Sequence, residues 1–385
     1  MIAVPSRFPT STVRLKFSSQ RGLNKSKGRI LRPFLYGLLL ILSAPGSADD
    51  KRRLTVSLES VNYSEATSIR SLSGEWDDEI TSGDNALSYS RVYIGYEQDA
   101  FSIQYLQRFE AVFEFDNDTA RFIYQIENQL DLKPGEKYKL DIRPKRAASK
   151  GIRLGYKNQF RKDINASVFV SLLQPFYILD GDLDGSAEAI ASNDYDFEFK
   201  SDLVYKEDPL FERGSENISG TGYAVDLFFR YAINDRWQAA LDLVDIAGEL
   251  RIDDAPFTTA TASSDIKSFD ENGYVVYDPV VRGIEGNKDY TYQFDLQTHL
   301  SLGYLLSDRY SITLQHHEYK NFAFQELLID QSTERGLIRW HLLPELRAAG
   351  ISYLTTNLML GISLDDFDYK ETKYLALTAR YSWAF

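Results

Sequence analysis

The sequence predicts an all-β protein, a transmembrane antiparallel up-and-down β-barrel of about 14 strands. Three observations carry this. From residue 54 to the last residue, segments with a period of two recur, which puts apolar and polar side chains on opposite faces of strands. Several run past about 12 residues, against the roughly 5 or 6 usual in soluble sheets, and are long enough to cross a membrane at a tilt. Short turns alternate with long acidic segments, as they do where one rim of a barrel faces a compartment and the other the outside.

Composition narrows the alternatives. The chain has 385 residues, no Cys and a mean hydropathy of −0.33, with 26% charged residues. Disulfides and thiolate metal sites are excluded, as is a multi-helix membrane protein, whereas a barrel is allowed because only alternate residues meet lipid. The 25 Tyr and 23 Phe are many, and Tyr favours membrane–water interfaces. A soluble β-sandwich is the competing fold, and the strand lengths weigh against it.

Residues 1–48 read as a secretory signal. Arg7, Arg14, Lys16, Arg21, Lys25, Lys27, Arg29 and Arg32 precede the short apolar core Phe34–Leu42, and Gly46 and Ala48 suit cleavage before Asp49. A membrane anchor is the alternative reading, although the apolar core is short for one. Those eight basic residues come from a total of 43, and no acid precedes Asp49. Residues 49–385 therefore hold 35 basic against 56 acidic residues, which disfavours nucleic acid as a partner.

The strands follow in order. Leu54–Asn62 places Leu54, Val56 and Leu58 on one face. Leu87–Glu97 and Phe101–Val112 form a pair joined at Gln98-Asp99. Thr119–Asp131 alternates Phe122, Tyr124, Ile126 and Leu130 with polar residues, and Lys133–Gly135 is a turn. Lys137–Arg143 alternates strictly, and Gly151–Phe160 and Ile164–Gln174 flank the turn Arg161–Asp163. A long acidic segment fills about 175–218. Thr221–Ile233 turns at Asn234-Asp235 into Arg236–Leu250, and a second long segment covers about 251–289. Tyr290–Leu306 puts Tyr290, Tyr292, Phe294, Leu296, Leu300 and Leu302 on one face. Arg309–Phe324, Arg335–Leu342, Ile351–Leu364 and Thr372–Phe385 complete the set, with a short turn at Leu343–Gly350. Counts of 12 or 16 stay open, since Asn193–Glu207 has room for a further pair.

The last strand, TKYLALTARYSWAF, places Leu375, Leu377, Ala379, Tyr381, Trp383 and Phe385 on one face and ends the sequence on an aromatic residue. It resembles the C-terminal strand of Gram-negative outer-membrane β-barrels. The resemblance implies an outer-membrane location and contact with outer-membrane lipid and lipopolysaccharide. It also implies delivery by barrel-assembly machinery, with Tyr381, Trp383 and Phe385 as the insertion signal. The implied function is a porin-like channel for passive diffusion of small hydrophilic solutes, anionic ones included. The alternative is a non-conducting barrel whose two long acidic segments carry a surface-binding or assembly role.

Candidate chemistry follows from the non-lipid face. Arg121, Lys137, Lys139, Arg143, Arg153 and Lys157 on consecutive segments would make one wall positive, with Arg230, Asp226, Asp295 and Arg380 also lining the pore. Such a ladder tunes a pore towards anions, unless opposite charges neutralise one another across it. Asp180, Asp182 and Asp184 sit in DGDLDGS, which resembles the start of a calcium loop, but Ala191 stands where a bidentate Glu belongs. No other cofactor is expected. Among four His residues, His299 and Ser301 share a strand face about 7 Å apart, too far for a nucleophile and its base, so no enzyme is expected.

Overall fold

The computed structural model describes residues 52–73, 80–208, 210, 217–264, 267–269, 273, 275–277 and 280–385. The expected signal segment lies outside them. The chain opens with β1 (Arg52–Ser64) and the short helix α1 (Ile69–Ser73), then β2 (Asn85–Gln98), β3 (Phe101–Phe115) and α2 (Asn117–Glu127). Next come β4 (Lys137–Arg161), β5 (Ile164–Ala191), β6 (Asp194–Tyr205), β7 (Ser219–Ala232) and β8 (Trp237–Ser263). The small pair β9 (Lys267–Phe269) and β10 (Val275–Tyr277) precedes β11 (Val280–Gln293). The remainder is β12 (Gln297–Ser307), β13 (Tyr310–Tyr319), β14 (Phe322–Thr333), β15 (Gly336–Leu343), β16 (Ala348–Leu354), β17 (Leu358–Leu364) and β18 (Tyr374–Ala384).

Fourteen of these strands, β1–β5, β7, β8 and β12–β18, pair with their neighbours in antiparallel order. β18 closes the ring on β1, in register from Arg53↔Ala384 to Tyr63↔Tyr374. An apolar belt faces outward, with Ile103, Leu154, Leu172, Leu300, Leu314 and Leu360 all exposed. Aromatic rings edge the belt at the short-turn rim: Phe101 lies 5.2 Å from Tyr156, Trp237 4.7 Å from Tyr304, and Phe385 6.2 Å from Tyr96. Exposed apolar residues in one continuous band, rimmed by aromatics, are what a lipid-facing barrel needs. The protein is an outer-membrane β-barrel, as expected from its last strand.

The total of 14 strands was reached in the sequence through two errors that cancel two omissions. Thr119–Asp131 is not a strand. Asp116 caps α2 by accepting from the Thr119 amide (2.8 Å), and Thr119, Ala120, Phe122 and Ile123 bury one helical face. Lys137–Arg143 and Gly151–Phe160 are two ends of one strand, β4. Against these, β14 falls almost wholly between the expected Arg309–Phe324 and Arg335–Leu342, and Ile351–Leu364 divides into β16 and β17 around a turn. The turns at Lys133–Gly135 and Leu343–Gly350 consequently lie on the long-loop rim, not with the short turns.

The long acidic segments are also not loops. β4, β5 and β8 have 25, 28 and 27 residues, more than twice the roughly 10 needed to cross a membrane. Their far halves continue the wall beyond the barrel, where β6 fills the gap between β5 and β8 and β11 adds to β8. α2 packs on this extension through a cluster of Phe122, Leu132, Tyr138, Leu183, Phe197 and Phe199.

Candidate functional site

Residues paired directly across strands share a face. Lysine and arginine side chains that point inward near the short-turn rim are exposed. Lys157 pairs with Glu97 (2.8 Å), Arg230 pairs with Asp242, and Arg380 stands opposite Ser57. This end of the lumen is a polar vestibule open to water.

The other half of the lumen is filled. Arg108 on β3 reaches across to Asp245 on β8 in a bidentate ion pair, both contacts 2.7 Å, and also holds Glu110 at 2.6 Å. Arg91 on β2 meets the same Asp245 at 3.4 Å. Arg153 on β4 pairs with Asp226 on β7 (2.7 Å) and donates to Gln104 (2.9 Å). Asp226 in turn accepts from the Asp245 amide at 3.0 Å. Three guanidinium groups thus face three carboxylates, all buried. Such a layer survives out of water because each charge is paired and hydrogen-bonded. Rings seal it further, with Arg108 over Phe294 at 4.0 Å and Arg153 over Phe169 at 3.8 Å.

The layer depends on a break in the wall. Between Val225↔Ala247 and Leu227↔Leu243 the pairing of β7 and β8 shifts, leaving Val244–Ile246 opposite Asp226 alone, with Asp245 at φ 60°. This extra material carries the Asp245 side chain inward. On the neighbouring strand the expected Tyr290–Leu306 is likewise interrupted, at residues 294–296. Tyr290, Tyr292 and Phe294 were expected to face lipid with Leu296, Leu300 and Leu302. Instead Tyr292 and Phe294 are buried in the interior, because the phase of alternation flips at the interruption. The Tyr292 hydroxyl donates to Glu110 across the lumen (2.9 Å), and Lys145 meets Asp295 at 2.7 Å. Above the charged layer, Leu106, Ile178, Val204, Leu250, Ile252 and Tyr292 form an apolar cap.

The facing wall, β12 to β18, is lined differently, with Arg339 held by Asp330 (2.6 Å) and a histidine chain beside it. His341 bridges Glu326 (2.7 Å) and Ser352 (2.7 Å), and Glu326 also bonds His317 (3.0 Å). The order resembles a nucleophile, base and orienting acid, but Ser352 is 2% exposed, and the chain serves to tie β13 through β16 together. Gln297 and Tyr319, directly paired across β12 and β13, are buried with the Gln297 amide and the Tyr319 hydroxyl unpartnered among the described residues.

The expected site residues divide accordingly. Arg153, Asp226, Lys157, Arg230 and Arg380 do line the interior. Arg121 lies on α2, bonded to Glu136 and Asp118, while Lys137, Lys139 and Arg143 lie on the extension of β4, beyond the barrel. The continuous basic wall therefore does not exist, since its members sit at different heights and the buried ones are paired. Asp295 is at the β11–β12 junction. Asp180, Asp182 and Asp184 are alternate residues of β5, paired against β6; Asp182 meets Asp184, but Asp180 is taken up by the Tyr290 hydroxyl (2.9 Å), and among the described residues the three do not converge as in a calcium loop. Tyr381, Trp383 and Phe385 lie on and beside β18 at the closing seam. Sequence reasoning missed Arg108, Glu110 and Asp245. Arg108 was legible from its alternation with Ser102, Gln104 and Leu106, whereas Asp245 was hidden by the bulge that displaces it.

Fold and lining together define an outer-membrane barrel with an open vestibule at one end and a side-chain seal at the other. No protein-family model matches the sequence, and no curated protein does either. Among solved structures, a deltaS2S3 mutant of the monoaromatic hydrocarbon channel TodX is similar over 89% of this chain and 94% of its own, at 10% identity and a TM-score of 0.40. The Pseudomonas putida toluene transporter TodX (89% and 93%, 9% identity, TM-score 0.29) and a Pseudomonas aeruginosa FadL homologue (86% and 88%, 8% identity, TM-score 0.30) are similar more loosely.

Proposed function

We propose that this barrel passes small solutes across the outer membrane through a lumen that rests closed at its extracellular half. The observation behind this reading is the contrast within one lumen. The short-turn end, periplasmic by the usual arrangement, is wet and polar, whereas the outer end is closed by side chains and strand junctions of the wall itself. Ion pairs can part and re-form without unfolding any strand. A seal of this kind argues against a permanently open porin for hydrophilic solutes, and the pairing of its cations removes the basis for anion selectivity. Passage runs along the β12–β18 wall, where Gly350 and Gly361 carry no side chain into the lumen.

A second reading, a non-conducting barrel with a surface role, draws on the extended sheet of β4, β5, β6, β8 and β11. Uptake into liposomes separates the two. Refolded protein that admits small solutes while sustaining little steady ion current supports gated passage. Folded protein that admits no solute, with the seal intact or cut, leaves the surface role.

A further inference from the structure

At the long-loop mouth, β1, β2, β14, β18 and the β15–β16 turn enclose a cavity of about 100 Å³, lined by Tyr63, Phe322, Phe324, Tyr374, Leu87 and Glu65 among others. Four aromatic rings form its sides. Tyr63 and Phe322 meet edge to face at 5.5 Å and 82°, and Phe324 and Tyr374 at 6.3 Å and 70°. Glu65 is the one charged residue of its lining. We propose that this aromatic box is a binding site for small organic cations, compact ammonium compounds with an apolar body.

The chemistry is that of ring faces, whose negative quadrupoles attract a poorly hydrated cation within about 6 Å, most strongly where water is excluded. The apolar body of the ligand gains from the same rings and from Leu87, Val61 and Leu346. The charged groups around the box favour a cation. Glu65 accepts from the Asp84 amide (3.0 Å), and the Asp365 carboxylate accepts from the amides of Lys373 (3.0 Å) and Tyr374 (2.8 Å) at the same mouth. Lys373 is turned away to the Glu65 carbonyl (3.2 Å) and the Thr81 hydroxyl (2.6 Å), so it does not neutralise the Glu65 carboxylate directly. Burial pushes the Glu65 carboxyl above the usual carboxylate range, and a cation seated next to it would draw it back down. The box also leads inward, because Phe324 stacks on His317 (4.7 Å, 12°), which bonds Glu326. A cation leaving the box therefore meets a second carboxylate on the β12–β18 side of the lumen. Neutral hydrocarbons would fill the rings but leave Glu65 unused.

The test is calorimetric titration of the full-length barrel in lipid nanodiscs with tetramethylammonium and with its neutral isostere neopentane, both small enough for the cavity. The expected result is a cation affinity at least about tenfold above the isostere, a preference that Glu65→Gln reduces to near parity. Phe324→Leu, which keeps the apolar volume but removes the ring, should weaken the cation several-fold while sparing the isostere. Equal affinity for both probes in the wild type, or a cation preference untouched by Glu65→Gln, would overturn the proposal. Binding is read without any current, so this site stands or falls separately from the passage reading.

Discussion

Strands β3, β4, β5 and β8 have 15, 25, 28 and 27 residues, whereas β15, β16 and β17 have 8, 7 and 7. Both walls obey the same alternation and expose the same kind of apolar belt. Inside, they part company. The long-strand wall fills its half of the lumen with a buried layer of three guanidinium groups and three carboxylates under an apolar cap, and the short-strand wall lines its half with glycine, serine and histidine and the Arg339–Asp330 pair. The difference teaches that a barrel is sealed by what its longer strands bring inward at an irregularity, here Val244–Ile246 against Asp226, and not by strand count or diameter.

The sharpest way to break this comparison is to remove matched groups from the two walls. Asp245→Ala leaves Arg108 and Arg91 buried without their shared partner and should destabilise the barrel by about 3–5 kcal/mol in urea unfolding. Ser352→Ala on the short-strand wall removes one neutral hydrogen bond and should cost about 1 kcal/mol. Equal losses would mean that the charged layer is not a structural seal.

Glycines sharpen the same contrast at smaller scale. A Cβ added at Gly151, on the long-strand wall, would lie 1.9 Å from the Leu172 carbonyl oxygen, which is backbone and cannot step aside. Gly151→Ala should cost about 1–3 kcal/mol. At Gly361 the obstacle is the Ser352 hydroxyl, a side-chain atom that can give way by loosening its bond to His341, so Gly361→Ala should cost less, about 1 kcal/mol in the same unfolding assay. Asp116→Ala, which strips the cap of α2 on the extension, should cost about 1 kcal/mol and loosen that helix in hydrogen exchange while leaving the barrel strands protected.

Acidity gives the smallest effect. Burial, then the neighbouring charge of Asp184, raises the Asp182 carboxyl above its ordinary value on the extension of β5. A raised folded pKa means the charged form is disfavoured in the fold. The contribution is favourable below the unfolded carboxylate range and is lost as pH rises through the folded value. Hydrogen exchange of β5 and β6 should therefore slow slightly, after correction for intrinsic rates, on acidification through that range. Faster exchange there would contradict the assignment.

Much of this was legible in the sequence, for identifiable reasons. The lipid belt is a period-two signal, and strands such as β7, with Tyr223, Val225, Leu227 and Phe229 facing one way, declare themselves. The closing strand does too, since Leu375 to Phe385 alternate without interruption. What alternation cannot show is where its phase breaks. In Asn117–Glu127, apolar residues at Phe122, Tyr124 and Ile126 satisfy a period of two, while the Asp116 cap and the buried Ala120–Ile123 face satisfy a helix. Tertiary packing chose the helix. At residues 294–296 the letters continue the pattern while the backbone flips it, and so Tyr292 and Phe294 moved from the expected lipid face to the heart of the seal. The basic ladder failed for a related reason. It counted charges along the chain, but β4 is so long that Lys137 and Lys157 lie at opposite ends of one strand.

The central claim is that paired side chains close the outer half of the lumen. It is tested most directly by single-channel current across a planar bilayer, comparing the wild type with the Arg108→Ala, Asp245→Ala double variant, which removes both members of the central pair and leaves Arg91 without Asp245 and Glu110 with Tyr292 as its partner. The account predicts little steady conductance from the folded wild type and a clear rise, by an order of magnitude or more, in the variant. A large, steady conductance from the wild type that the double substitution leaves unchanged would contradict it.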